Sequence, residues 1–285
     1  GGMHALVLTG RAPDLAAHYP PASEDVPDWP VVKAALVDQE DFLLDWMKSP
    51  PQTNEVARSS MIYPGLLEIV NRFGLPVRLL EIGASGGLNL QLDRFDFVFA
   101  GKAYGPDSSE NSLLSPSWNG PTPNANTVVV EHRDGCDINP LDPTDEEDAL
   151  RLRAYLWPDQ TDRIARLNHA LDFARAYPVP IKDCDAVAFM ETELAKRPDG
   201  VCTVFYSTIA WQYLLDEDKV RGETLMAEAA ASTTAERPLA WLRFEADGQS
   251  PGAAIRLQAW DGDEPLDAVL GRADFHGRWV DWVGL

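Results

Sequence analysis

The chain has 285 residues, 45% of them hydrophobic, enough to bury one large core or a core with an appendage. A net charge of −21 at pH 7 argues against a nucleic-acid backbone or an anionic membrane as partner, since no Lys/Arg cluster offsets the repulsion. Cys136, Cys184 and Cys202 are odd in number and far apart, so they read as reduced thiols, and His4, His18, His132 and His169 lack ligand spacing, so no protein metal site is expected.

No signal peptide, lipidation motif or long apolar span is evident, which makes a cytoplasmic location the expectation. The opening Gly1-Gly2-Met3-His4 already has helical character; either tag residues lead it or the native start lies upstream. Residues 1–76 read as a helical N-terminal cap. Val31 to Met47 carries apolar residues at helical spacing, and Asn54 to Phe73 forms a second helix, kinked or broken at Pro64 and stopped by Gly74 and Pro76.

Strand character begins at Val77. From there strands alternate with helices: Val77–Ile82, a helix from about Gly87, Thr127–His132, helices from Thr144, Ile181–Asp183, Cys202–Ser207, a helix from Asp216 to Ala231, and Leu239–Glu245. That alternation predicts a parallel sheet covered on both faces over 77–285. The tail is β only, Ala254–Trp260 and Arg272–Val283 around the Asp261-Gly262 turn, and predicts an antiparallel closing pair. Two insertions interrupt the pattern: a Ser/Pro/Asn/Gly-rich lid loop near 104–126, and a helical insertion near 144–176 that starts on the capping box Thr144-Asp145-Glu146-Glu147.

The segment from Arg78 to Leu90 is an apolar strand ending in an acid, a loop of tiny residues, then a helix start. Such a turn lets backbone approach something closely. Gly83, Ser85 and Gly87 serve either of two chemistries. A nucleotide-type cofactor can lie on the loop, or Ser85 can be a nucleophile on a G-x-S-x-G elbow.

If the loop holds a nucleoside, an acid is expected at the end of the second strand, and Asp137 is there. Asp185-Ala186 follow the third strand, and the fourth ends in Tyr206-Ser207. Ligands of open parallel sheets bind at that carboxyl edge. This ordered series, Glu81-x-Gly83-x-Ser85-x-Gly87, Asp137, Asp185-Ala186 and Tyr206-Ser207, resembles the motifs of class I S-adenosylmethionine-dependent methyltransferases. The resemblance runs from Val77 to the C-terminus. It departs at Ser85, where the usual loop has its middle glycine, and no Asn-Pro-Pro-Tyr follows the fourth strand.

The resemblance implies a Rossmann-like, doubly wound, mostly parallel seven-stranded sheet with an antiparallel last strand, and S-adenosylmethionine as cofactor. It also implies roles: Glu81 orienting the methionine part, Asp137 the ribose, Asp185-Ala186 the adenine, and Gly83, Ser85 and Gly87 giving backbone access. More narrowly, Pro51-Gln52-Thr53-Asn54-Glu55, Leu80–Leu90, Gly135-Cys136-Asp137, Trp157-Pro158-Asp159-Gln160 and His276-Gly277-Arg278-Trp279 resemble an uncharacterised bacterial family with such a core. That likeness covers nearly the whole chain and brings no activity.

On the acceptor side, Asn54 and Arg58 lie four apart on one helix face with Glu55 adjacent; Trp157, Asp159 and Gln160 interrupt the helix pair; Trp211 follows the fourth strand. Caps, salt bridges and core aromatics are the better explanation of any one of these taken singly. The expected activity is methyl transfer to a small molecule. The alternatives are a serine hydrolase, with Ser85 as nucleophile and His276 as base, and a non-catalytic sensing module on the same fold.

Overall fold

The computed structural model describes residues 1–20, 22–23, 26–106 and 114–285. In chain order come α1 (Gly2–Leu8), α2 (Pro13–Ala16), α3 (Trp29–Asp38), α4 (Glu40–Trp46), α5 (Ser59–Phe73), β1 (Val77–Ile82), β2 (Phe97–Phe99), β3 (Lys102–Tyr104), β4 (Ser117–Asn119) and β5 (Val130–Asp137). Then follow α6 (Glu146–Ala154), α7 (Thr161–Ala176), β6 (Lys182–Asp183), α8 (Ala186–Leu194), β7 (Cys202–Thr208), α9 (Asp216–Ala230), β8 (Leu239–Glu245), β9 (Ala253–Trp260), β10 (Leu266–Ala273) and β11 (Trp279–Trp282). The chain divides into two compact units, residues 1–54 with 141–178, and residues 55–140 with 179–285.

The first unit is helical. Leu6, Ala12, Leu15 and Ala35 bury together, and Trp46 packs with Ala5 and Ala154. The single helix expected over Val31–Met47 is two, α3 and α4, separated at Gln39, whose backbone (φ −119°, ψ 27°) leaves the helical region. Asp145 caps α6 by accepting the N–H groups of Glu147 and Asp148.

The second unit holds a nine-stranded sheet, ordered β4-β11-β10-β9-β8-β7-β1-β5-β6. The run β6, β5, β1, β7, β8 is parallel throughout. By order of appearance these five strands lie 3-2-1-4-5, so the winding reverses between β1 and β7. That layout is Rossmann-like, and ligands of open sheets of this kind bind at the strands' carboxyl ends beside such a reversal. β1 and β7 are buried at every position, which is why they read as continuous apolar runs.

Alternation divides the sheet's two faces. Leu80, Ile82, Phe205 and Trp241 pack with Phe189 and Met190 of α8 and Met226 of α9. Leu242 points the other way, onto α5 at Gly65, where a Cβ would stand 2.7 Å from a Leu242 methyl. Helix α5 runs through Pro64 without a break, where a kink or a break is expected. Every residue from Ser59 to Val70 is buried, and that tertiary packing outweighs the one backbone hydrogen bond Pro64 cannot make. Gly74, at φ +66°, ends the helix as expected.

Several expected elements differ in detail. The segment after Gly87 is a 3₁₀ helix, Leu88–Arg94, not an α-helix. The second parallel strand begins and ends later than expected, at Val130 and Asp137, because pairing with β1 starts only at Val130 and continues through a polar sequence. The tail holds three antiparallel strands, not a pair. Asp274 accepts the N–H groups of His276 and Arg278, and Gly277 sits at φ +76°, so the chain turns between β10 and β11 where one strand was expected. The sheet therefore exceeds the seven strands implied by the resemblance. Within 104–126, read as a lid loop, Ser117–Asn119 forms β4 and pairs parallel with β11; residues 107–113 of that stretch lie outside the described residues.

Candidate functional site at the carboxyl edge of the sheet

The loop after β1 stands where the winding reverses. Gly83, Ser85 and Gly87 have φ of +70°, +55° and +68°. For Ser85 this left-handed backbone is unfavourable by roughly 1–2 kcal/mol. It is held by hydrogen bonds. Ala84 N–H donates to Cys136 O at 2.9 Å, Gly87 N–H to Ala84 O at 2.8 Å, and Ser85 N–H to Asp137 Oδ2 at 2.8 Å. The other Asp137 oxygen accepts Asn139 N–H at 2.9 Å, an Asx turn at the strand's end. A carboxylate has about four lone-pair sites, so each oxygen retains capacity for a further donor.

The small residues of this loop allow the chain to approach itself. A Cβ on Gly83 would stand 2.4 Å from Ala210 Cβ, and one on Gly87 would stand 2.6 Å from Ile181 Cδ1. Gly135, opposite Glu81 on β5, would meet Ala84 Cβ at 2.9 Å. The β1 loop, the end of β5 and the turn after β7 thus close tightly on one another.

Beneath the loop lies a buried polar cluster. Glu81, 1% exposed, pairs in register with Tyr206 of β7, whose side chain is fully buried. Tyr206 Oη lies near enough to favour the charged carboxyl, though it completes no regular hydrogen bond among the described residues. Glu81 Oε2 likewise has no hydrogen-bond partner among the described residues. Burial pushes the Glu81 carboxyl up to about 8, with Asp137 adding to the rise, against Tyr206, Arg58 and Asn89. Burial, then the Glu81 charge, raises the Tyr206 hydroxyl well above the usual phenol range.

Residues ahead of α5 roof this cluster. Glu55 accepts Ala57 N–H at 3.2 Å, and its carbonyl accepts the Asn89 amide at 3.4 Å. Ser59 Oγ donates to Asn89 Oδ1 at 2.7 Å. Arg58 donates through Nη1 to Thr208 O at 3.0 Å and through Nε to Phe275 O at 3.1 Å, joining the end of β7 to the β10–β11 turn.

The turn after β7 carries a second backbone departure. Ile209, a β-branched residue, sits at φ +53°. Glu245, ending β8, holds it there by accepting the N–H groups of Ala210 at 3.1 Å and Trp211 at 3.0 Å. Burial raises the Glu245 carboxyl despite these bonds, and Ser207 lies beside it.

Of the residues singled out from sequence, Glu81, Gly83, Ser85, Asp137, Tyr206, Ser207, Glu55 and Arg58 gather at this edge. Gly87 closes the loop against Ile181. Asp185 is exposed and caps α8 through Ala188 N–H at 2.8 Å, while Ala186 packs on the α8 face of the sheet. Trp211 is buried against Trp241, ring centroids 5.0 Å apart. Asn54, Trp157, Asp159 and Gln160 belong to the helical unit, where Trp157 is 70% exposed and Gln160 Oε1 accepts from Arg163. Ser85 Oγ is buried and makes no hydrogen bond among the described residues, so no base is hydrogen-bonded to it.

Asn89, Ser59, Thr208 and Glu245 were missed. Asn89 and Glu245 had a signal, a polar residue within Leu88-Asn89-Leu90 and an acid closing an apolar strand.

The sheet order, the left-handed loop at its reversal and the acids at adjoining strand ends define an α/β protein of Rossmann-like type. The chain belongs to DUF2332, a family described as uncharacterized protein conserved in bacteria, whose model matches residues 1–282. No curated protein matches it, and no solved structure matches it. No helix among the described residues is long and apolar enough to cross a membrane.

Proposed function

We propose that the protein binds S-adenosylmethionine at the carboxyl ends of β1, β5 and β7 and transfers its methyl group to a small molecule. The observation that carries this reading is the pair of acids flanking the left-handed loop at the reversal point, Glu81 with a buried unpartnered oxygen and Asp137 with lone pairs to spare. Orphaned buried oxygens on Glu81, Ser85 and Tyr206 fit a ligand with several donors. The cofactor supplies a methyl already activated on a sulfonium. Asp137 would hold the ribose hydroxyls, Glu81 the amino-acid end, and the loop backbone would give close approach. The protein's part is alignment and exclusion of water. The excess of acidic side chains favours a neutral or cationic acceptor.

Asp185 supports an adenine contact less directly, since its carboxylate already caps α8. Calorimetric titration with S-adenosylmethionine and S-adenosylhomocysteine tests the reading. Micromolar binding that Asp137→Ala removes is the expected result. Absence of binding to either, with a fluorophosphonate labelling Ser85 covalently, would replace it with the hydrolase. Binding without turnover across a broad acceptor panel would favour the sensing module.

A further inference from the structure

Glu81 lies in the middle strand of the parallel run, one residue before its end, between Gly135 of β5 and Tyr206 of β7. Gly135 offers it no side chain, and Tyr206 Oη is itself buried without a regular partner. The other groups within its field are Arg58 ahead of α5, Asn89 of the 3₁₀ helix and Asp137 of β5. The charges acting on Tyr206 besides Glu81 are Arg133 and Asp93, joined in a bidentate pair at 2.8 and 2.9 Å. Arg58, whose charge favours the ionised carboxyl, donates from Nε and Nη1 to two backbone carbonyls. No ion pair to Glu81 is formed among the described residues, and a buried carboxyl in that position favours its neutral form.

We propose that a ligand carrying a positive amino group binds beside Glu81 in exchange for one proton, the carboxyl being neutral in the free protein and ionised in the loaded one. This rests on the cofactor reading above. The Glu81 O–H bond breaks heterolytically, its proton leaves to solvent, and the carboxylate pairs with the ligand ammonium; no electrons are transferred. The sign follows. Binding that releases a proton tightens as pH rises and levels off once the free carboxyl is ionised. The pH at which it levels is near 8, where burial has placed this group.

The experiment uses the full chain and three probes. S-adenosylmethionine and S-adenosylhomocysteine both carry the ammonium, and methylthioadenosine lacks it. Titration calorimetry at pH 7 in buffers of different ionisation heat reads the protons released. About one proton is expected for the first two probes and none for methylthioadenosine, with affinity for S-adenosylhomocysteine rising about tenfold per pH unit below the plateau. Glu81→Gln abolishes the release and flattens the pH profile. Tyr206→Phe keeps the ring in the core and removes a group favouring the charged carboxyl, so its plateau moves to higher pH. An infrared carboxylic-acid band in the free protein at pH 7, absent from Glu81→Gln, reads the neutral carboxyl without any ligand.

S-adenosylhomocysteine binding with no proton released, or with the same release in Glu81→Gln, overturns this inference and leaves the cofactor reading standing. Absence of the infrared band overturns it as well. Failure of all three probes to bind overturns both.

Discussion

The Asp137 carboxylate accepts the Ser85 backbone N–H at 2.8 Å, tying the end of the second parallel strand to the loop that leaves the first. One acid thereby holds a left-handed serine and an Asx turn together. Hydrogen bonds to a charged acceptor contribute about 1.5–3 kcal/mol each. Asp137→Ala is expected to destabilise the protein by roughly 2 kcal/mol in urea denaturation and to speed hydrogen exchange at the Ser85 amide. Asp137→Asn, which keeps one acceptor, should lose less. Unchanged exchange at Ser85 in the alanine variant would remove the clamp.

Gly83 and Gly74 share a left-handed backbone but not their surroundings. Gly74 has open space where a Cβ would go, whereas Gly83 has Ala210 Cβ at 2.4 Å. Gly74→Ala should cost about 1 kcal/mol for backbone conformation alone. Gly83→Ala adds crowding, for a total of roughly 2–4 kcal/mol. Equal midpoints for the two variants in chemical denaturation would contradict the tight closure of the β1 and β7 loops.

The Glu81 carboxyl is raised from the ordinary 4.5 to about 8 by burial. The folded chain therefore binds more protons than the unfolded chain between those values. Its contribution to stability is fully present below pH 4.5 and is lost as pH rises through 8, on the order of 5 kcal/mol in all. Chemical denaturation from pH 5 to 8.5 should show Glu81→Gln gaining on the native protein as pH rises. Parallel pH profiles would show that the carboxyl ionises normally.

Glu193 has the opposite sign. Burial opposes its charge, but hydrogen bonds from Lys182, Lys196 and Arg78 prevail and pull it down to about 2. Its contribution is present above pH 4.5 and lost as pH falls through 2, roughly 3 kcal/mol. Glu193→Gln should destabilise at pH 7 by a similar amount, because three cations lose their shared partner, and should flatten the acid limb of the stability curve. An acid limb identical to that of the native protein would exclude this network as its source.

What the sequence disclosed depended on whether a residue's role is local. The strands β1, β7 and β8 were legible as apolar runs, and Glu81 and Asp137 were legible as acids at strand ends. The hydrogen bond from Ser85 to Asp137 was not, since it joins residues 52 apart in the chain. Asn89 and Glu245 are polar residues whose meaning comes from partners on other elements. β5 hid its extent because Glu131-His132-Arg133-Asp134 is polar and its pairing with β1 is irregular, skipping Glu131 before it resumes at His132. Pro64 misled for the same reason in reverse: a local helix breaker is overruled by burial on both sides of it.

The nine-stranded sheet ends on its two shortest members, β6 with two residues and β4 with three. A broad sheet with long outer strands would present rows of unpaired N–H and C=O groups to any passing extended chain. Here each border offers a template too brief to recruit one. The stretch 104–126, by lending three residues alongside β11, makes one of those borders, and with it a guard against chain-to-chain aggregation.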